Sequence, residues 1–594
     1  MRNESSMEKD AYQLHCKPKL AELLDCLGLA QSYAKASGCT LWTQAGRPVI
    51  DFVGGFGAAI AGHNHPVLKK SLVDALSADV PVHAQGSIRS ESGRLAARLS
   101  DLTPGEAEYY TCFTNSGAES IEAALKHAYK VHFDKVRNEH ERISRITNDF
   151  YYAADESTSE LSVPGGKKLI DFREDVDDHN LAQLEHFEHH PVVIAFKGAY
   201  HGKSASALKV TFNESYREPF QGLSSIDTIF IEMADVARIP EIRRDHKCLF
   251  LYPVLEGTRI EVRAVEFTTV VALILEPILG EGGIIPLPEP TLQYLADNHR
   301  TNAIPYIIDE VQTGCGRTGT FFAYEQTPLT ETSPEYIVLS KALGGGLTKI
   351  GATLIRKDIY DPDFGILHTS TFGEDDLSAL VASKFLDLLF SDEATMLRSI
   401  RQQGEKLKAR LLELHAEFPE IILDVRGRGL MLAVEFTELA GRSPFFRLSG
   451  KQGVLSLLVA SYLLHHHGVR VLAPLTTMLK GNPGRHRGSV VRIQPPALIM
   501  DEHIDKLITG FRELLRVIEH NDEYGFVAHL LGHDLSAGER ASPRAYPNAW
   551  PVREEPRHLD ARAGFIVHPT SLETLTTYFF PSFADRMIDR ERLR

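Results

Sequence analysis

Between about residues 110 and 390, short and wholly apolar runs alternate with segments of helical character, and this alternation constrains the fold more than any other feature of the chain. The clearest runs are Val192–Phe196, Val270–Leu275, Tyr306–Ile308 and Tyr336–Leu339. A run with no polar alternation is a strand buried on both faces, and such strands belong to a mostly parallel sheet with helices packed on each side. In that architecture reactive groups gather where the strands end, at the carboxyl edge. From about Ile421 the pattern changes. Strands at Met431–Phe436, Arg470–Leu472 and Val490–Ile493 stand with helical runs at Gly453–His465 and Asp501–Glu519, which predicts a second, smaller α/β lobe.

The chain has 594 residues, 43% of them hydrophobic, enough to bury a large core; this excludes a disordered tail or a small disulfide-stapled module. With 79 acidic against 64 basic residues the net charge is −15, the wrong sign for a protein that grips phosphate backbones, so no nucleic-acid partner is expected. Six scattered cysteines without a Cys-x-x-Cys pair give neither a disulfide framework nor a thiolate metal site, and they fit a reducing, cytoplasmic location. Residues Met1–Asp10 lack the basic start and apolar run of a signal peptide, and no apolar stretch approaches the ~20 residues that cross a bilayer. No membrane association is expected.

Two apolar strands end in charge. Tyr306–Ile308 runs into Asp309 and Glu310, where an acid can hold a cationic ring nitrogen, a metal or a ribose hydroxyl. Tyr336–Leu339 runs through Ser340 into Lys341, followed by Gly344-Gly345-Gly346, which permits close backbone approach. A lysine emerging from a buried strand has its pKa lowered by desolvation and becomes a nucleophile toward a carbonyl, here that of a cofactor. Phe113–Ser120 leads into a helical run over Ile121–Val131. Ser116, Gly117 and Ala118 at its start expose backbone N–H groups at the positive end of the helix dipole, a ready phosphate site. Phe196–Gly202 puts Tyr200 in a strand-to-turn setting where an aromatic side chain can cover a flat ring.

In this order the four segments resemble the class III, or ornithine/GABA, aminotransferases, pyridoxal-phosphate enzymes of fold type I, over roughly Leu41–Leu515. The resemblance implies a large, mostly parallel α/β domain over residues 86–390, and a smaller α/β domain formed by N- and C-terminal segments, 1–85 and 391–520. It implies Lys341 as the Schiff-base lysine and Asp309 as the carboxylate that keeps the pyridine nitrogen protonated. Gln312 then falls at the ring's phenolic oxygen, Tyr200 on the ring, and Ser116, Gly117 and Ala118 on the phosphate, with His201 and Glu276 also among the cofactor-binding residues. The implied function is transfer of an amino group from an amino acid donor to an aldehyde or ketone acceptor in two half-reactions. Asp309 favours electron flow from the breaking Cα–H bond into the ring, while Lys341, once replaced by substrate, shuttles the proton. Decarboxylation or intramolecular amino transfer on the same fold is the alternative.

Further matches bear on substrate and assembly. Phe56, in Gly-Gly-Phe-Gly, matches the family's substrate-side N-terminal segment. Val425–Leu430 resembles the strand whose arginine, here Arg426, binds an α-carboxylate, and Glu281 resembles the gate glutamate that covers this arginine when a substrate lacks that group. In His368–Gly373, Ser370 and Thr371 match residues that reach the other subunit's cofactor phosphate in a homodimer. The family continues Gly-Asn-Pro. Here Glu374-Asp375-Asp376 follows, and Asp375 or Asp376 can cap the next helix.

Gly314-Cys315-Gly316-Arg317-Thr318-Gly319 satisfies the dinucleotide pattern of a nicotinamide oxidoreductase, but its continuation Thr320–Glu325 is aromatic and strand-prone where a helix N-terminus is required. The histidines of His186–His190 read as part of a solvated insertion, and those of His465–His467 as a helix end where imidazoles meet the negative dipole; no metal is expected. Two stretches look added: an insertion over about 134–190, and a linker and C-terminal extension over 521–594. Within the latter, Gly564–Glu573 is similar to the opening of acyl-carrier-protein reductases, which implies an acyl-thioester reductase, partner or fused, that supplies an aldehyde.

Overall fold

The computed structural model describes residues 11–155, 161–474 and 489–531. Near the N-terminus β1 (Tyr33–Ser37), β2 (Thr40–Thr43) and β3 (Pro48–Asp51) form an antiparallel meander. The central sheet has seven strands: β4 (Tyr109–Thr114), β5 (Val192–Phe196), β6 (Asp227–Ile231), β9 (Val270–Leu275), β12 (Tyr306–Asp309), β13 (Tyr336–Leu339) and β14 (Gly351–Arg356). Their order is β4-β14-β13-β12-β9-β5-β6. Only β14 runs against its neighbours. Every residue of β5, β9, β12 and β13 is buried, as strands covered by helices on both faces must be.

The smaller lobe holds an antiparallel sheet of β15 (Ile422–Arg428), β16 (Met431–Phe436) and β18 (Val490–Ile493). β17 (Val469–Arg470) pairs in parallel with β3, which stitches the N-terminal meander to the C-terminal part of the chain. The buried Arg317 ties the same parts together, donating to the carbonyls of Gly57, Leu430 and Pro495. The turn between two short strands, β10 (Ile278–Leu279) and β11 (Ile285–Pro286), faces this lobe and carries Glu281.

The added stretch over 134–190 is helical, and its first part is not separate from the fold. The helix that begins beside the expected phosphate site runs unbroken over Gly117–Asp155, and a second helix spans Leu169–His189. Both pack on a hairpin absent from the sequence expectations, β7 (Lys247–Glu256) and β8 (Arg259–Thr268), around a small core of Tyr151, Phe172, Val176 and Ile260. Among the described residues no helix is long and apolar enough to cross a membrane, and no cluster of three or more His, Cys, Asp or Glu could hold a metal ion.

Candidate active site

The carboxyl edge of the central sheet gathers the residues singled out in the sequence. Asp309 ends β12, buried, with Oδ2 2.7 Å from His201 Nδ1 and Oδ1 accepting the Val311 N–H at 2.9 Å. His201 follows β5, and its own N–H donates to Thr211 Oγ1 at 2.9 Å. Lys341 follows β13 with φ 36°, a left-handed backbone that costs a non-glycine residue of order 1–3 kcal/mol and persists where the surroundings impose it. Burial lowers the Lys341 pKa, although the carboxylates of Asp309, Glu276 and Glu281 pull it back up. The net shift is toward the neutral amine, the nucleophilic form.

Glu276, directly after β9, accepts the Tyr200 and Gly280 N–H groups, each at 2.9 Å, and so fixes the turn that carries Tyr200. Burial pushes its carboxyl well above the usual range, against the opposing charge of His201 and with Asp309 adding to the rise. Burial also pushes the Tyr200 phenol up to about 12, which keeps it neutral. Ser116, Gly117 and Ala118 open the long helix as expected. A Cβ on Gly117 would lie 2.7 Å from Val311 Cγ1, and one on Gly202 2.9 Å from Ala118 Cβ, so only glycines let the cradle, the Asp309 strand end and the Tyr200 turn close up.

Glu281 makes a bidentate contact with the buried Arg492 of β18, at 2.8 and 3.2 Å. Burial raises the Glu281 carboxyl, but the charge and hydrogen bonds of Arg492 outweigh it, and Lys341 and Lys203 add to the lowering. Lys203 Nζ sits 3.6 Å over the Tyr216 ring, whose centroid is 6.3 Å from that of Tyr200. Phe56 is exposed with φ 59°, and Ser370 and Thr371 are exposed as well. Asp375 caps the helix that starts at Asp376, accepting the Leu377 and Ser378 N–H groups at 3.2 and 3.0 Å, while Asp376 pairs with Arg89 at 3.4 Å.

The family model for "Aminotransferase class-III" matches residues 28–515. The chain belongs to the class III aminotransferases. It is a pyridoxal-phosphate-dependent transaminase of fold type I, as the sequence implied. Solved structures with the same fold include an ornithine aminotransferase from Toxoplasma gondii ME49, 21% identical over 88% of this chain and 96% of that one, with a TM-score of 0.61. An (S)-enantioselective omega-transaminase from Thermomicrobium roseum is 20% identical over 89% and 99%, TM-score 0.62. Adenosylmethionine-8-amino-7-oxononanoate aminotransferase from Methanocaldococcus jannaschii is 21% identical over 86% and 99%, TM-score 0.63.

One expectation about this aminotransferase needs correcting. Glu281 does not face Arg426. Arg426 Nε donates to the Gly283 carbonyl at 2.9 Å, and its Nη1 is held by Asp424, at 2.9 Å, and by Glu435. It clamps the Glu281 turn to the small-lobe sheet and is already neutralised, whereas Arg492, which no sequence motif singled out, holds Glu281. The signal for it was present: an arginine inside an otherwise apolar strand, Val490-Val491-Arg492-Ile493, must meet a buried partner.

Gly314–Gly319 is a buried turn followed by short 3-10 turns and not by an α-helix, and a Cβ on Gly319 would meet Arg401 Cγ at 2.5 Å, so no dinucleotide enters there. His186, His189 and His190 are exposed, as a solvated insertion requires. The other histidine cluster closes the helix over Leu455–His467, as expected. His465 Nε2–H donates to the Gly28 carbonyl, 2.7 Å away, and burial depresses its pKa, so it packs there as a neutral ring. The reductase-like stretch Gly564–Glu573 lies outside the described residues.

Proposed function

We propose that Lys341 forms the covalent link to pyridoxal phosphate and is the base of the transamination, with Asp309 as the partner of the ring nitrogen. The observation that carries this reading is a lysine, shifted toward its neutral form at the end of β13, beside an aspartate locked in place by His201 and a backbone N–H. The donor set fits the group: helix-terminal N–H groups for a phosphate, an oriented carboxylate for a ring cation, an amine for a carbonyl. Once bound, pyridoxal phosphate supplies the electron sink for the bond broken at the donor carbon. Lys341 Nζ takes the proton from that carbon. Tyr200 covers the ring face, Gln312 donates toward the phenolic oxygen, and Glu276 holds the Tyr200 turn.

An amino acid donor would place its carboxylate on Arg492 as Glu281 swings away; an aldehyde or ketone without that group leaves the pair closed. Phe56, in the Gly-Gly-Phe-Gly segment, would line the same entrance, as the resemblance implies. The exposure of Ser370 and Thr371 supports a homodimer in which Ser370 and Thr371 of the partner subunit complete the phosphate cradle. Free cysteines throughout the described residues support a cytoplasmic enzyme, and the Gly564–Glu573 similarity supports pairing with an acyl-thioester reductase that delivers the aldehyde. Borohydride reduction of the yellow protein followed by peptide mass spectrometry tests the core of this reading. The cofactor mass is expected on the peptide that contains Lys341; a colourless protein, or label on another lysine, would overturn it.

A further inference from the structure

Gln494 stands two residues beyond Arg492, and the two side chains reach into the large domain as neighbours, Arg492 to Glu281 and Gln494 to Gln312. Gln494 is wholly buried, and its Oε1 accepts from Gln312 Nε2 at 3.2 Å. Its backbone is held tightly: the N–H donates to the Phe52 carbonyl at 2.7 Å, and a Cβ on Gly54 would stand 2.6 Å from the Gln494 carbonyl oxygen. Gln312 is confined from the other side, since a Cβ on Gly280 would collide with its Oε1. Neither amide has room to turn freely.

A buried amide is an expensive occupant. Leaving one of its polar groups unpaired costs about 1–3 kcal/mol, and Gln494 Nε2 finds no hydrogen-bond partner among the described residues. An apolar side chain of equal volume would fill the space without that penalty. What the glutamine supplies is its acceptor oxygen, aimed at a residue placed beside the cofactor's phenolic oxygen in the function proposed above. We propose that Gln494 is a positioning residue that fixes the Gln312 amide. By taking one hydrogen of the Gln312 Nε2, it sets which end of that amide is the donor and leaves the second hydrogen for the phenolic oxygen. The small lobe then delivers two things along one strand end, the carboxylate-binding arginine and the latch that orients a cofactor contact.

A donor on the phenolic oxygen draws electron density from it and loosens the proton held next to it. Loss of the donor therefore raises the pH at which the yellow form of the bound cofactor bleaches. Gln494→Met removes the acceptor at nearly constant volume, and we expect that midpoint to rise by about half a pH unit, roughly a threefold tighter proton. Gln312→Met should raise it at least as far, and adding Gln494→Met to Gln312→Met should move it no further, because the latch has nothing left to hold. Gln494→Leu, read by the same absorbance titration, serves if the methionine variant does not fold. A midpoint unchanged in Gln494→Met while Gln312→Met shifts, or equal further shifts in both backgrounds, would overturn the role of Gln494 alone. A wild-type protein that never turns yellow with pyridoxal phosphate would instead remove the reading on which it rests.

Discussion

The strand β13 carries a charged residue at each end, and the two ends differ in kind. At the amino end Glu335 lies 2.9 Å from His299 Nε2, accepts the Tyr306 N–H at 2.9 Å, and pairs with Arg356 at 2.9 Å. Burial raises its carboxyl, but His299, the Tyr306 N–H and Arg356 together bring it below the usual range. At the carboxyl end Lys341 is shifted toward the neutral amine, and across the sheet Glu276 is shifted toward the neutral acid, both by burial. Glu276 is met by backbone N–H groups at 2.9 Å, where Glu335 is met by an arginine and a histidine. A saturated network drives a buried group to its charged form and fastens elements together, whereas an undersupplied one leaves a group near the point where a proton can be exchanged.

Substitution at the two ends should separate these roles. Lys341→Ala is expected to lower turnover by at least about 10³-fold and to abolish the borohydride-stable label, with the thermal midpoint little changed. Glu335→Gln should do the opposite: a kcat close to wild type, and a stability loss approaching the roughly 3–5 kcal/mol that follows removal of one member of a buried charged network. Steady-state kinetics and denaturant unfolding read both variants. If Glu335→Gln cost as much activity as Lys341→Ala, the division between the ends would fail.

Asp309→Asn sharpens the same contrast within the site. The amide keeps the shape but loses the charge that favours a protonated ring nitrogen, and kcat should fall by about 10²–10³-fold while the protein still binds its cofactor and remains yellow. Smaller still is the effect on substrate choice. Arg492→Ala should raise KM for amino acid donors by roughly 10- to 100-fold, in line with about 1.5–3 kcal/mol for a hydrogen bond to a charged group, and leave amines without a carboxylate near their wild-type KM. Arg426→Ala should affect unfolding and not that KM ratio. A KM penalty confined to Arg426→Ala would return the carboxylate to the site first expected.

What the sequence made legible was local. Asp309 and Lys341 were visible because each terminates an apolar run, and Ser116–Ala118 because a helix start is written in adjacent residues. The pairing of Glu281 with Arg492 spans 211 positions and depends on how β16 and β18 align, which no short pattern carries. Arg426 stood in the more suggestive motif but in the wrong place. The β7–β8 hairpin was hidden for another reason. Its strands alternate imperfectly, and the cue that marked it, Gly257-Thr258 with Gly257 at φ 66°, lies between the charged Glu256 and Arg259 and is easily read as loop. The 134–190 stretch read as an excursion because the charges that face solvent on its helices mask the few residues, Tyr151, Phe172 and Val176, that anchor them to that hairpin.

The most delicate consequence of the comparison is in the acid limb of stability. The folded Glu335 carboxyl titrates below its ordinary value of 4.5, so the folded state binds its proton less readily than the unfolded chain does. The stabilisation it brings is then fully present above about pH 4.5 and is lost as the pH falls through the depressed folded value. Arg356 and His299 both contact this one carboxylate and lose it together, which opens the amino edge of the sheet and spares the Lys341 edge. Thermal midpoints measured from pH 7 down to pH 3 should therefore fall more steeply for the wild type than for Glu335→Gln, whose amide does not titrate, with the two curves converging at the acid end. Parallel curves across that range would mean that the network at the amino end contributes packing alone, and the distinction between a saturated and an undersupplied end of β13 would have to rest on the kinetic variants.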